Sequence, residues 1–188
     1  RPLANSLLMR RALEYAKTFG RPVIQHAEDP CLSAGGVMHE GRISTMLGLR
    51  GVPSESEAVI VGRDLALAEL TGGWVHFAHV SSARSVELIR QAKQRGVKVT
   101  CEATPHHIAL TEDAVAGFDT CAKVNPPLRS EQDRLALLEG LKDGTIDCIA
   151  TDHAPHTDWE KDSDFDSAPF GISGLEPALG VCVTTLVK

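Results

Sequence analysis

Three short apolar runs in this chain each end in a side chain able to hold a metal. Ile24-Gln25-His26-Ala27-Glu28 and Phe77-Ala78-His79-Val80-Ser81 place a histidine at the run's end, and Ile146-Asp147-Cys148-Ile149-Ala150 leads into Thr151-Asp152-His153-Ala154-Pro155-His156. A strand buried on both faces of a parallel sheet reads as such a run. The pattern therefore predicts parallel strands whose carboxyl ends converge on one chemistry. Imidazole and carboxylate ligands make metal-assisted hydrolysis the first chemistry to test.

The intervening residues supply the helices that parallel strands need, since a strand–helix–strand unit takes about 30 residues or more. A helix is expected over about 6–19, stopped by Gly20 and followed by a strand at Val23. A second helix spans 54–70, with Val61, Leu65 and Ala68 at helical spacing, and a third spans 82–95, with Val86 and Ile89 on one face and Gly96 as its stop. A strand follows at 97–103, and another is expected at 121–125. Ser130 and Asp133 form a capping-box variant opening a helix whose apolar side is Leu135, Leu138 and Leu141, ended by Asp143-Gly144.

A helix followed by five alternations with strands indicates a parallel α/β architecture. Several strands ending in ligand-type residues favour a barrel over an open sheet, because barrel active sites sit at the carboxyl ends of the strands. A complete eight-stranded barrel takes about 250 residues. Residues 1–188 are accordingly expected to be a single domain, the later part of a (β/α)8 barrel lacking its first strands, with a truncated or artificial start.

The histidines differ in weight. Side chains alternate across a strand, so if His79 faces the barrel mouth, His76 faces the helices in a structural role. His39 lies in a glycine-rich loop and is uncommitted. His26 alone reads as a satisfied core residue, and Asp152 alone as a loop or cap carboxylate; three parallel occurrences shift the reading toward a site. His156 lies past the strand, over the mouth, and is expected to touch substrate, while His153 is left open.

Composition excludes more than it proposes. A net charge of -6 and a pI near 5.7 argue against a phosphate-tracking surface, so nucleic acid is not an expected partner. No apolar run approaches the roughly 20 residues that span a bilayer, no signal peptide is evident, and a cytoplasmic location is expected. Cys31, Cys101, Cys121, Cys148 and Cys182 make an odd count without a C-x-x-C pair, so reduced thiols are expected, those at 101, 121 and 148 as small hydrophobes in strands.

Five motifs, in order over nearly the whole chain, resemble dihydroorotases of the long bacterial type in the amidohydrolase superfamily. They are H-A-E-D (26–29), T-P-H-H (104–107), N-P-P-L-R (125–129), T-D-H-A-P-H (151–156) and A-P-F-G-I-S-G-L-E (168–176). The resemblance implies a binuclear Zn2+ site and reversible closure of N-carbamoyl-L-aspartate to L-dihydroorotate in pyrimidine biosynthesis. It implies His26 and His79 as ligands of the second zinc, and Asp152 as a ligand of the first and as general acid/base. Asn125, His156, Phe170 and Gly171 match substrate-binding positions, the last two through backbone groups. A homo-oligomer or an association with aspartate carbamoyltransferase is a further expectation of the resemblance.

The family's His-x-His pair, its bridging carboxylate and an early substrate arginine have no counterpart here, so 188 residues are expected to be inactive alone. Two other readings compete. Allantoinase and dihydropyrimidinase open similar rings but lack the paired N-P-P-L-R and T-D-H-A-P-H motifs. A catalytically silent relative serving as an assembly partner would be expected to lose zinc ligands that this chain retains.

Overall fold

Local signals start and stop most of the elements. In the computed structural model, which describes residues 3–187, helix α1 (Ser6–Thr18) is capped by Asn5, whose side chain accepts from the Leu8 N–H, and Gly20 at φ 63° follows it. Strand β1 is Pro22–Gln25. A small excursion comes next: β2 (Met38–His39), α2 (Arg42–Leu47) and β3 (Gly51–Val52), with β2 and β3 paired in parallel. Helix α3 (Glu55–Thr71) buries Ile60, Val61, Leu65 and Ala68 and ends at Gly72, φ 66°.

Strand β4 (Trp74–Phe77), helix α4 (Ala83–Gln94, capped by Ser82) and strand β5 (Val99–Ala103) continue the alternation. A short α5 (Pro105–Ala109) and two 3-10 turns lead to α6 (Glu131–Lys142), where Ser130 and Asp133 form the expected capping box. Strand β6 (Cys148–Ile149), α7 (Asp158–Lys161) and α8 (Ala178–Leu186) complete the order.

The main sheet runs β1-β4-β5-β6, every pair parallel. Its two faces differ. Gln25, Val75, Phe77, Val99, Cys101 and Ala103 are buried, and the apolar ones pack with Met9, Leu13, Val61, Leu65, Val86, Ile89 and Leu137 from the helices. On the other face Trp74 donates to Thr100, and His76 bonds Thr100 (2.9 Å) and Glu102 (3.1 Å). Ile24 on that face is 69% exposed. A second apolar cluster, around Met38, Ile43, Val124, Leu128 and Phe165, secures the excursion and the 120–130 segment.

Several expectations need correction. His76 does not face the helices: Phe77 does, and His79 lies beyond the strand with φ 37°, where strand alternation no longer applies. Residues 121–125 form no strand, so the main sheet has four strands rather than five. The Asp119 carboxylate accepts from the Cys121 N–H and the Lys123 N–H bonds back to Thr120, turning the chain, while Val124 packs into the second cluster. Cys121 and Cys148 are exposed; only Cys101 behaves as the small buried hydrophobe, its thiol pushed up to about 12 mainly by burial. In α6 Leu135 is 51% exposed and Leu137 takes the core position. Among the described residues no helix is long and apolar enough to cross a membrane.

Candidate active site at the strand ends

β1 and β4 are neighbours in register, Ile24 beside His76 and Gln25 beside Phe77. The residues that leave their carboxyl ends therefore emerge side by side. His26 Nδ1 and His79 Nε2 are 2.9 Å apart, with the two rings edge to face. His79 and Asp152 both adopt positive φ, 37° and 45°. That region is uncommon for residues other than glycine and persists only where surroundings hold it. Phe118 is the one other such non-glycine residue described, so strain concentrates where strands β4 and β6 give way to site residues.

Around His79, Glu57 from α3 does the holding. Its two oxygens accept from the backbone N–H and the hydroxyl of both Ser81 and Ser82. Buried Arg129 donates to the Ser81 hydroxyl and to the Val52 carbonyl and contacts His39 Nδ1. His39, uncommitted in sequence, is thus part of a buried polar support, and burial foremost, with repulsion from Arg129, lowers its pKa to about 4.

Glu28 organises the other flank. Its Oε2 accepts from His26 Nε2 (3.1 Å) and Asn125 Nδ2 (2.7 Å), and its Oε1 from Ser33 (2.7 Å). The hydrogen bond with His26, against opposing burial and with help from Asn125 and Ser33, holds the Glu28 carboxyl down at about 2. Glu28, Asn125 and Phe170 also line one cavity of about 120 Å³ with Ser33, Met38 and Val52. Sequence reasoning gave Glu28 no role; its position two residues past a strand-end histidine was the available signal.

His106 was likewise unassigned. It is buried with neither ring nitrogen hydrogen-bonded, and His79 Nδ1 is buried and unpartnered too. Burial pushes His106 down to about 4, with attraction to Asp152 opposing. His79 is lowered by burial first, then by His26, again with Asp152 opposing. Asp152 itself is exposed. His107, next to His106 in the chain, is fixed differently: Nε2 donates to the Pro126 carbonyl, which leaves Nδ1 to accept from Thr104.

The residues past β6 form a loop layer. His156 Nε2 donates to the Phe170 carbonyl (3.0 Å), and the Gly171 N–H donates to the Lys123 carbonyl (2.9 Å). Two of the backbone groups expected to face a substrate are therefore engaged, one within the loop and one with the segment leading to Asn125. Gly171 has φ 145°, and a Cβ there would fall 2.4 Å from the Ala154 carbonyl oxygen, so the loop's tight approach requires glycine. His153 Nδ1 accepts from the Leu175 N–H, a bond internal to the loop.

The facing ring nitrogens of His26 and His79 suit a shared electrophile. Two nitrogens on one tetrahedral zinc lie about 3.3 Å apart for bonds near 2.0–2.1 Å, close to the 2.9 Å His26–His79 separation. Among the described residues, however, no group of three or more His, Cys, Asp or Glu side chains could hold a metal ion. The donors fit part of a zinc shell and do not complete one.

A family model described as dihydro-orotase-like matches residues 4–85. Over 99% of its length the chain is 63% identical to a dihydroorotase of Pelotomaculum thermopropionicum and 58% identical to one of Endomicrobium trichonymphae. The chain is similar to dihydroorotases over nearly its whole length. It spans 44% of the length of each of those two relatives. A dihydropyrimidinase from Brevibacillus agri superposes with TM-score 0.78 at 26% identity, over 93% of this chain and 40% of that one. The four-stranded parallel sheet and its helices are thus part of a (β/α)8 barrel of the kind shared by cyclic amidohydrolases.

Proposed function

We propose that this chain carries one side of the active site of a zinc-dependent dihydroorotase, which interconverts N-carbamoyl-L-aspartate and L-dihydroorotate. The observation that carries the reading is the His26–His79 pair, 2.9 Å apart at the ends of adjacent parallel strands, in a chain 63% identical to a dihydroorotase. Residues 1–188 act as a single domain, the later part of the barrel, and further chain supplies the remaining ligands and a substrate arginine.

In this reading His26, His79 and Asp152 would hold zinc, which when bound would acidify water and polarise the amide carbonyl. Glu28 fixes the His26 ring through Nε2, so Nδ1 would be the nitrogen that holds the metal; a carboxylate on the second nitrogen orients a ligating imidazole and raises its basicity. Glu57 and Arg129 hold the turn that carries His79. Asp152 takes the proton released as the carbonyl is attacked and returns it to the ring nitrogen that departs. Asn125, His156 and the Phe170-Gly171 backbone position the substrate, and fixing reactants in attack geometry removes a large part of a barrier. The substrate is small; a cytoplasmic location and an assembly with like subunits or with aspartate carbamoyltransferase follow from the same family reading.

Dihydropyrimidinase or hydantoinase activity is the second reading, favoured by the superposition at TM-score 0.78. The 26% identity there against 63% for a dihydroorotase ranks it behind. Asp152→Asn in the complete enzyme tests the assignment. The amide keeps the shape but accepts no proton, so turnover of dihydroorotate falls by about 10²–10⁴-fold. Turnover at the parent rate would remove Asp152 from the chemistry.

A further inference from the structure

Two lysines in the loop layer are buried, Lys123 at 2% exposure and Lys161 at 9%, and all five of their hydrogen-bond acceptors are backbone carbonyls. Lys123 Nζ, from the segment leading to Asn125, reaches across to the carbonyls of Phe165 (2.7 Å) and Asp166 (3.1 Å). Lys161 Nζ reaches back to the carbonyls of Thr120 (3.1 Å) and Lys123 (3.4 Å) and to Pro169 (2.8 Å) in its own loop. The Thr120 hydroxyl donates to the Lys161 carbonyl and the Gly171 N–H to the Lys123 carbonyl, so the two segments are stitched in both directions.

Burying an ammonium group is costly, and replacing it with an apolar side chain of similar volume is commonly neutral or stabilising. Burial lowers the pKa of both lysines, which fits that cost. Stability of the core is therefore a poor reason for the pair. Their positions supply a better one. Lys123 lies two residues before Asn125, and its Nζ sits 4.5 Å from the centre of the Phe170 ring and 5.4 Å from that of Phe165. Cation–π contacts of this length orient a ring as well as attract it. His156 docks on the Phe170 carbonyl of the same loop.

We propose that Lys123 and Lys161 form a reciprocal clasp that locks the Asn125 segment to the 156–171 loop and so sets the spacing of the substrate-recognition groups. This rests on the substrate-binding roles given above to Asn125, His156, Phe170 and Gly171. The lysines touch neither substrate nor metal and are positioning residues. Their loss frees two loops that binding must then order, a cost that appears in substrate affinity.

The test uses Lys123→Met and Lys161→Met in the zinc-loaded complete enzyme, with Lys142→Met, an exposed lysine on α6, as control. Charge-assisted hydrogen bonds are worth enough that KM for dihydroorotate should rise about tenfold or more in each clasp variant. Zinc content and kcat should stay at the control's level. Hydrogen exchange should quicken in peptides covering 120–126 and 160–171 and nowhere else. Unchanged exchange in those peptides, or zinc lost in step with KM, would overturn the clasp. If the parent enzyme does not turn over dihydroorotate, the functional reading fails, and localised exchange alone then decides for or against the clasp. Should Lys123→Met not fold, Lys161→Met carries the same measurements.

Discussion

His156 bonds the Phe170 carbonyl in the loop and makes no hydrogen bond to the His26–His79 pair, and that separation divides binding from metal holding. His156→Ala removes the donor to the Phe170 carbonyl and leaves both strand-end histidines intact. KM should rise about tenfold or more, as one charge-assisted or well-placed hydrogen bond implies, with zinc stoichiometry unchanged; Asn125→Ala should raise KM as well, but it also removes a donor to the Glu28 oxygen that holds His26. Zinc lost in step with activity would instead make His156 a ligand. His39 gives a stability prediction. Its ring titrates at about 4 in the folded chain against an ordinary value of 6.5. Because the folded value is depressed, the unfolded chain binds the extra proton first: stability is fully present above pH 6.5 and is lost as pH falls through 6.5 toward 4, about 3 kcal/mol in all. Denaturant unfolding of His39→Gln should show a flatter loss across that window than the parent. Equal slopes would mean His39 does not set it.

At the scale of elements, the four core helices were legible because each is bounded by local chemistry. Asn5, Ser82 and Ser130 accept from N–H groups of the first turn, and Gly20, Gly72, Gly96 and Gly144 stand at positive φ past the last. Ser130→Ala should cost about 1 kcal/mol and lower Tm by a few degrees; a melting temperature equal to the parent's would show that Asp133 caps α6 alone. The excursion from β2 to β3 was not legible, since strands of two residues have no period to read. The 121–125 segment misled for a related reason: its apolar residues serve the second cluster, and the Asp119 turn that decides its path involves one side chain. His76 failed on geometry. Alternation says that two faces exist, but the left-handed residue at His79 breaks the phase between strand and site, so the face of one does not follow from the other. The strand-end histidines were legible individually; Glu28, Glu57 and Arg129, which hold them, came from separate segments that no local pattern links.

For the whole molecule, the decisive feature is the sheet face bearing Ile24 and Trp74, both exposed, with the partly buried His76, Thr100 and Glu102 beside them. In a (β/α)8 barrel that face is interior. The described donors also stop short of a complete metal shell, and the chain spans 44% of the dihydroorotases it matches. On the function proposed here, activity belongs to the closed barrel. Ring opening of dihydroorotate, followed by ultraviolet absorbance, decides the matter when residues 1–188 alone are assayed beside the complete zinc-loaded enzyme, with hydantoin and dihydrouracil as competing substrates. The 188 residues should give no turnover, and the complete enzyme should prefer dihydroorotate. Preference for hydantoin or dihydrouracil, or full activity in the 188 residues, would contradict the assignment of this chain to one side of a dihydroorotase site.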